Sequence, residues 1–227
     1  MVELNGVEAR VLGALIEKEI NTPEYYPLSL NATVNACNQK SSREPVMELS
    51  EADVRTALFE LDQLGLVRTI AESRATKFEH RVRDVLNLRR DEVAVMCLLL
   101  LRGAQTSAEL RARTERMYAF DDNAAVMSVL ERLAGREEPL TQLMQRQPGA
   151  REARWVQVLT GAPSDAQMSG AVSEVGWVET HVSEARHGAP DALAQRVAEL
   201  EEVVRRLEER LGMLERALGG ETPGGES

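Results

Sequence analysis

Few side chains in this 227-residue chain have the type and spacing that catalysis or metal binding requires. The three histidines, His80, His181 and His187, are dispersed, and the two cysteines, Cys37 and Cys97, stand 60 positions apart. Neither set has the close Cys/His spacing of a zinc site, and no CxxC pair occurs. A phosphate-binding glycine loop, a GxGxxG turn, a GxSxG nucleophile elbow and an HExxH helix are all missing. Carboxylates are abundant, but they fall at expected helix starts and on polar faces, where capping and solvation account for them. The expectation is a non-enzymatic protein with no cofactor, no metal and no small-molecule ligand indicated.

Binding chemistry remains, carried by cations and aromatics. Lys40 and Arg43 lie in a polar loop, Gln39-Lys40-Ser41-Ser42-Arg43, suited to phosphate contact. Arg68, Arg74, Lys77, Arg81 and Arg83 fall in one expected hairpin, and Arg146, Arg151 and Arg154 in a second. Clustered cations of this kind are what a DNA backbone needs, because binding is driven by counterion release. Tyr25 and Tyr26 are adjacent in a chain only 4% aromatic and could anchor a protein partner. One is expected to pack locally and the other to stay available. The first expectation is therefore a DNA-binding regulator that contacts DNA through its two hairpins; the alternative is a protein-interaction adaptor that uses acidic third helices and the loops carrying Tyr25, Tyr26 and residues 39–43. Against DNA stands the stretch 51–64, where Glu51, Asp53, Glu60 and Asp62 face Arg55 alone.

The elements that must position these groups follow from periodicity. Leu4, Val7, Val11, Leu12 and Leu15 recur at helical spacing, with Asn5 and Glu8 set as a capping box. A loop containing Pro23 and Pro27 stops that helix, and a second is expected from Ser29 to about Gln39. Ser50 with Asp53 starts a third, striped by Val54, Leu58 and Leu61 and ended by Gly65. A hairpin over residues 66–83 follows, with Phe78, His80 and Val82 alternating against Lys77, Glu79 and Arg81. His80 therefore reads as a hairpin histidine with its bonding satisfied, and both cysteines as small core residues.

The order then repeats. A helix over 91–102, a second capped at Thr106 with Glu109, and a third opened by Asp121 and Asp122 precede strands at 140–147 and 153–159. Glu8 matches Glu92, Ser29 matches Ser107, and Val54-xxx-Leu58-xx-Leu61 matches Val126-xxx-Leu130-xx-Leu133, at offsets of 84, 78 and 72. The first copy thus carries an expected six-residue insertion in each inter-helix loop. Three helices and a hairpin, twice, is the order of two winged-helix domains in tandem.

The predicted fold class is mainly α with small β-hairpins: winged-helix domains at 1–86 and 87–160, a flexible linker at 161–189, a coiled-coil helix at 190–218 and a disordered tail at 219–227. These domains carry net charges of −4 and +1, and residues 161–227 carry −7 of the total −10, so any nucleic-acid footprint must be local. In the linker, Trp177 is expected to pack partly on the second domain. Leu193, Leu200, Leu207 and Leu214 form one heptad series, and Val197, Val204, Leu211 and Leu218 the other. In a parallel dimer Arg196 meets Glu201 and Arg210 meets Glu215 across that seam. The other reading folds the stripe back onto its own chain.

The longest apolar run, residues 93–101, is too short to cross a bilayer, and the N-terminus lacks the pattern of a secretory signal. With two scattered cysteines, the expectation is a cytoplasmic protein with no membrane partner.

The stretch Tyr26-Pro27-Leu28-Ser29-Leu30-Asn31-Ala32, with Asn35-Ala36-Cys37-Asn38-Gln39-Lys40-Ser41-Ser42-Arg43-Glu44-Pro45-Val46-Met47, resembles the signature of the YceH-like family of uncharacterised bacterial proteins. The opening Leu4-Asn5-Gly6-Val7-Glu8-Ala9-Arg10-Val11-Leu12 and Glu17-Lys18 fit it too. The resemblance covers most of residues 1–160 and implies a tandem winged-helix fold; it implies no activity. Removing residues 190–227 is expected to halve the particle mass seen by light scattering, and an unchanged mass would refute a dimer made by the tail.

Overall fold

Side-chain caps begin most of the helices. In the computed structural model, which describes residues 2–71, 76–146 and 149–161, Asn5 accepts from the backbone N–H groups of Val7 and Glu8. Glu8 reaches back to the Asn5 N–H at 2.9 Å. This capping box opens α1 (Gly6–Asn21). Ser29 caps α2 (Leu30–Cys37), and Ser50 with Asp53 boxes α3 (Glu51–Gln63). Beyond α3, Gly65 takes the left-handed conformation (φ 72°) that turns the chain into a strand.

Three short strands, β1 (Leu28–Ser29), β2 (Val67–Ala71) and β3 (Thr76–His80), form an antiparallel sheet in the order β1-β3-β2. Leu28 lies opposite Phe78, and Val67 opposite His80. The strand stops at His80, short of the expected Arg83. The Arg81 N–H makes a last bond to Leu66 O at 2.7 Å, and the Arg81 carbonyl then starts a helical turn, α4 (Val82–Val85).

The second half follows the same order. It contains α5 (Arg90–Arg102), α6 (Ser107–Thr114, capped by Thr106 with Glu109) and α7 (Asn123–Ala134, capped by Asp122). Strands β4 (Thr141–Leu143) and β5 (Trp155–Gln157) pair antiparallel and are much shorter than expected. Gln105, just before the α6 cap, bridges to Trp155, as Leu28 just before the α2 cap pairs with Phe78. Among the described residues the chain is thus mainly helical, with seven α-helices and two small antiparallel sheets.

The caps correct the repeat by one residue. Arg89 follows Asn5 by 84, Thr106 follows Ser29 by 77, and Asp122 follows Ser50 by 72. The first half therefore has seven extra residues before its second helix and five before its third.

One core joins the two halves, running from Leu4 to Leu159. At its centre α1 crosses α5, and residues 93–101 of α5 are buried without interruption, which explains an apolar run with no polar face. The helices meet at Gly13, where the Cys97 thiol donates to the Gly13 carbonyl at 3.4 Å. These two residues are themselves 84 apart, so the halves touch at equivalent positions. A Cβ on Gly13 would lie 2.9 Å from Leu101 Cγ and 3.1 Å from Leu100 Cβ.

No helix among the described residues is long and apolar enough to cross a membrane. The heptads of residues 193–218, with Trp177 and the rest of 162–227, lie outside the described residues. Gly13→Val is expected to force α1 and α5 apart and lower stability by about 2 kcal/mol. A urea midpoint equal to that of the parent would show that the crossing tolerates a side chain.

Candidate functional site

Both inserted loops of the first half are fastened to the core, and this decides the fate of several expected contacts. Arg43 is buried, so its assignment as a phosphate contact is corrected. Its guanidinium holds both Glu17 carboxylate oxygens, at 2.6 and 3.1 Å. It also donates to Ala36 O and to Gln39 Oε1. Arg10, equally buried, donates to Cys37 O at 3.2 Å and Pro45 O at 2.6 Å. Asn38 closes the loop by exchanging two bonds with the Leu49 backbone, each 2.8 Å. From the second half, Arg102 donates to Ser42 Oγ and Leu101 O accepts from the Glu44 N–H.

Burial alone would raise the Glu17 pKa. The hydrogen bond and charge of Arg43, helped by Lys18, outweigh it and hold the carboxyl below its ordinary value. Burial pushes the Cys37 thiol up to about 12 and the Cys97 thiol higher still, so both are poor nucleophiles.

The first inserted loop docks on the hairpin. Tyr26 is half-buried and its hydroxyl accepts from the His80 N–H at 2.6 Å, while Tyr25 is 74% exposed. His80 is buried; its Nε2 pairs with Glu19 Oε2 at 2.8 Å, but Nδ1 has no partner, so its bonding is only half satisfied.

The remaining cations divide by their partners. Arg68 pairs across the sheet with Glu79. Arg154 grips Glu109 through two bonds, 2.9 and 3.0 Å, tying the second hairpin to the start of α6. Lys77 is partly exposed on β3. Arg81 and Arg83 are exposed but belong to the turn and helix after β3, not to the strand. Lys40, Arg146 and Arg151 are exposed, and Arg74 lies outside the described residues. The structure therefore does not gather the ten expected cations into one strip.

Two features escaped the sequence reading. Arg89 and Arg90 add two exposed guanidinium groups close after Arg81 and Arg83. Phe59 projects from α3 at 60% exposure. Its position outside the Val54/Leu58/Leu61 stripe was the signal available. Among the described residues no His/Cys/Asp/Glu cluster could hold a metal ion.

Residues 4–150 match a family model described as a protein of unknown function, DUF480. The chain belongs to the DUF480 family. Similar bacterial relatives carry the name UPF0502 protein. That of Koribacter versatilis is 50% identical over 205 residues, 90% of each chain. That of Solibacter usitatus is 55% identical over 160 residues, 70% of this chain and 77% of the relative. One from Shewanella loihica is 45% identical over 217 residues, 91% of this chain and 95% of the relative. The YceH-like resemblance agrees with this DUF480 membership, and its motif contains the residues that fasten both inserted loops.

Glu17→Gln leaves Arg43 buried without its counter-charge and is expected to cost about 3 kcal/mol. Because the folded Glu17 pKa is depressed, its contribution is complete above the ordinary value of about 4.3 and fades as pH falls through the folded value. Stability of the parent should drop more steeply on acidification than that of Glu17→Gln. Parallel loss in urea titrations at neutral and acid pH would contradict this.

Proposed function

We propose that this is a non-enzymatic binding protein of two tandem winged-helix units, whose first unit docks a basic, apolar-tipped segment of a protein partner on α3. The repeated order of three helices and a hairpin supports the winged-helix reading, as does the pairing with the hairpin just before each second helix, a two-residue strand in the first half and a single bridge in the second. A winged helix commonly presents its third helix as the reading surface. The C-terminal heptads would pair two copies in parallel, doubling the surface offered.

The observation that carries the reading is Phe59. Ala52, Thr56, Phe59 and Gln63 are all exposed and recur at i, i+4, i+7 and i+11, so they form one outward stripe. An aromatic with a polar surround is the usual form of an interface anchor. Beside the stripe, a 530 Å³ concavity is lined by Glu8, Asp53 and Glu60, while the lone α3 cation, Arg55, is paired with Glu51. That surface attracts a basic segment and repels phosphate.

Phosphate contact through the second hairpin is the competing reading, favoured by Arg146 and Arg151, which are exposed and have no ion-pair partner among the described residues. Affinity capture from bacterial lysate separates the two. Proteins held by the parent and by Arg146→Ala/Arg151→Ala should be lost with Phe59→Ala. DNA held at low salt, released by Arg146→Ala/Arg151→Ala and indifferent to Phe59→Ala, would overturn the proposal.

A further inference from the structure

A pocket of 410 Å³ opens where the end of α1, α4, the first turn of α5 and the segment after α6 meet. It is lined by Glu19, Ile20, Arg83, Arg90, Val93, Met117 and Tyr118. We propose that this pocket binds a small organic anion, a carboxylate or phosphate head on an apolar or aromatic body, with Arg83 and Arg90 holding the head.

The two guanidinium groups come from either side of one short connector. Neither has an ion pair or side-chain hydrogen bond among the described residues. Most other arginines in contact with the core are committed: Arg10 and Arg43 inside the loop, Arg132 to Asp91 and Glu92, Arg154 to Glu109. The connector is held in place, since Leu88 is buried in the core and Arg136 donates to Leu86 O. Two arginines lining one pocket offer charge-assisted N–H donors to a planar or tetrahedral oxyanion.

Glu19, the pocket's one carboxylate, does not close on Arg83, because it is turned to the buried His80 at 2.8 Å. That bond, above all, lowers the Glu19 pKa. Arg83 is near enough to lower that pKa further by its charge, yet it closes no ion pair with Glu19, so both guanidinium groups keep N–H donors for a ligand.

The other walls specify the body of that ligand. Val93 is buried, and Ile20 and Met117 are half-buried, giving an apolar floor. Tyr118, tilted against Phe120 with ring centroids 4.7 Å apart, supplies an aromatic rim. The volume is that of a small-molecule site and much larger than a bare oxyanion fills.

The test is calorimetric titration of the full chain with AMP, benzoate, adenosine and inorganic phosphate. AMP or benzoate should bind saturably with one site per chain, phosphate more weakly, and adenosine not at all. Arg83→Ala and Arg90→Ala should each weaken the anion about tenfold, the usual effect of losing a charge-assisted bond. Arg151→Ala, an exposed arginine that does not line the pocket, should change nothing. Unaltered circular dichroism establishes that the variants fold. The proposal is overturned if neither AMP nor benzoate saturates, if Arg83→Ala/Arg90→Ala binds as the parent does, or if Arg151→Ala weakens binding equally.

Discussion

The close crossing of α1 and α5 is the constraint on which the rest of the described structure depends. Gly13 leaves no room for a side chain against Leu100 and Leu101. The backbones can therefore approach until a cysteine thiol reaches a main-chain carbonyl. Dispersion falls off within an ångström, so this proximity lets one continuous core form in place of two cores sharing a seam. Each half then hangs its second and third helices and its hairpin on the same pair of buried rods. That the rods meet at equivalent positions, Gly13 and Cys97, makes the junction resemble a self-complementary interface written into one chain.

The polar framework works on top of that crossing. A buried guanidinium is tolerated only when its donors are met, and Arg43 meets them with both Glu17 oxygens, a helix-end carbonyl and Gln39. Arg10 bonds the carbonyls of Cys37 and Pro45 through its two terminal nitrogens, while its buried Nε has no partner among the described residues. The extra residues before α3 are thereby turned into a strap, and its Ser42 and Glu44 reach α5 of the other half. The extra residues before α2 place Tyr26 against the hairpin. Insertions that look like candidate binding loops thus have a structural task first, and only their outer groups, Tyr25 and Lys40 among them, remain for a partner.

Local rules were legible in the residues and long-range pairing was not. Asn5/Glu8, Ser50/Asp53 and Thr106/Glu109 announce helix starts because cap and partner are three residues apart. The repeat was legible to within one residue, the slip arising where Thr106 and Ser107, both able to cap, stand side by side. Arg43 was misread because its partner Glu17 lies 26 positions upstream, and Arg154 because Glu109 lies 45 upstream. The second hairpin was overestimated: its ladder runs for three pairs only, Thr141–Leu143 against Trp155–Gln157.

That pairing changes what the charge pattern means. In an acidic chain most arginines near the core are matched to carboxylates or carbonyls, so their number along the sequence says little about affinity for anions. The informative cations are those that folding leaves without a partner while fixing their position. Arg146 and Arg151 make no ion pair among the described residues and lie outside the paired strands of the second hairpin. Arg83 and Arg90 make no ion pair among the described residues and are carried by a segment anchored through Leu88 and Arg136. Meanwhile α3 presents Phe59 among carboxylates. The molecule therefore offers surfaces of opposite sign in separate places, each with an apolar component. That combination gives selectivity in a way a diffuse charge cannot, because charge sets which ligands approach and the apolar contact sets which remain.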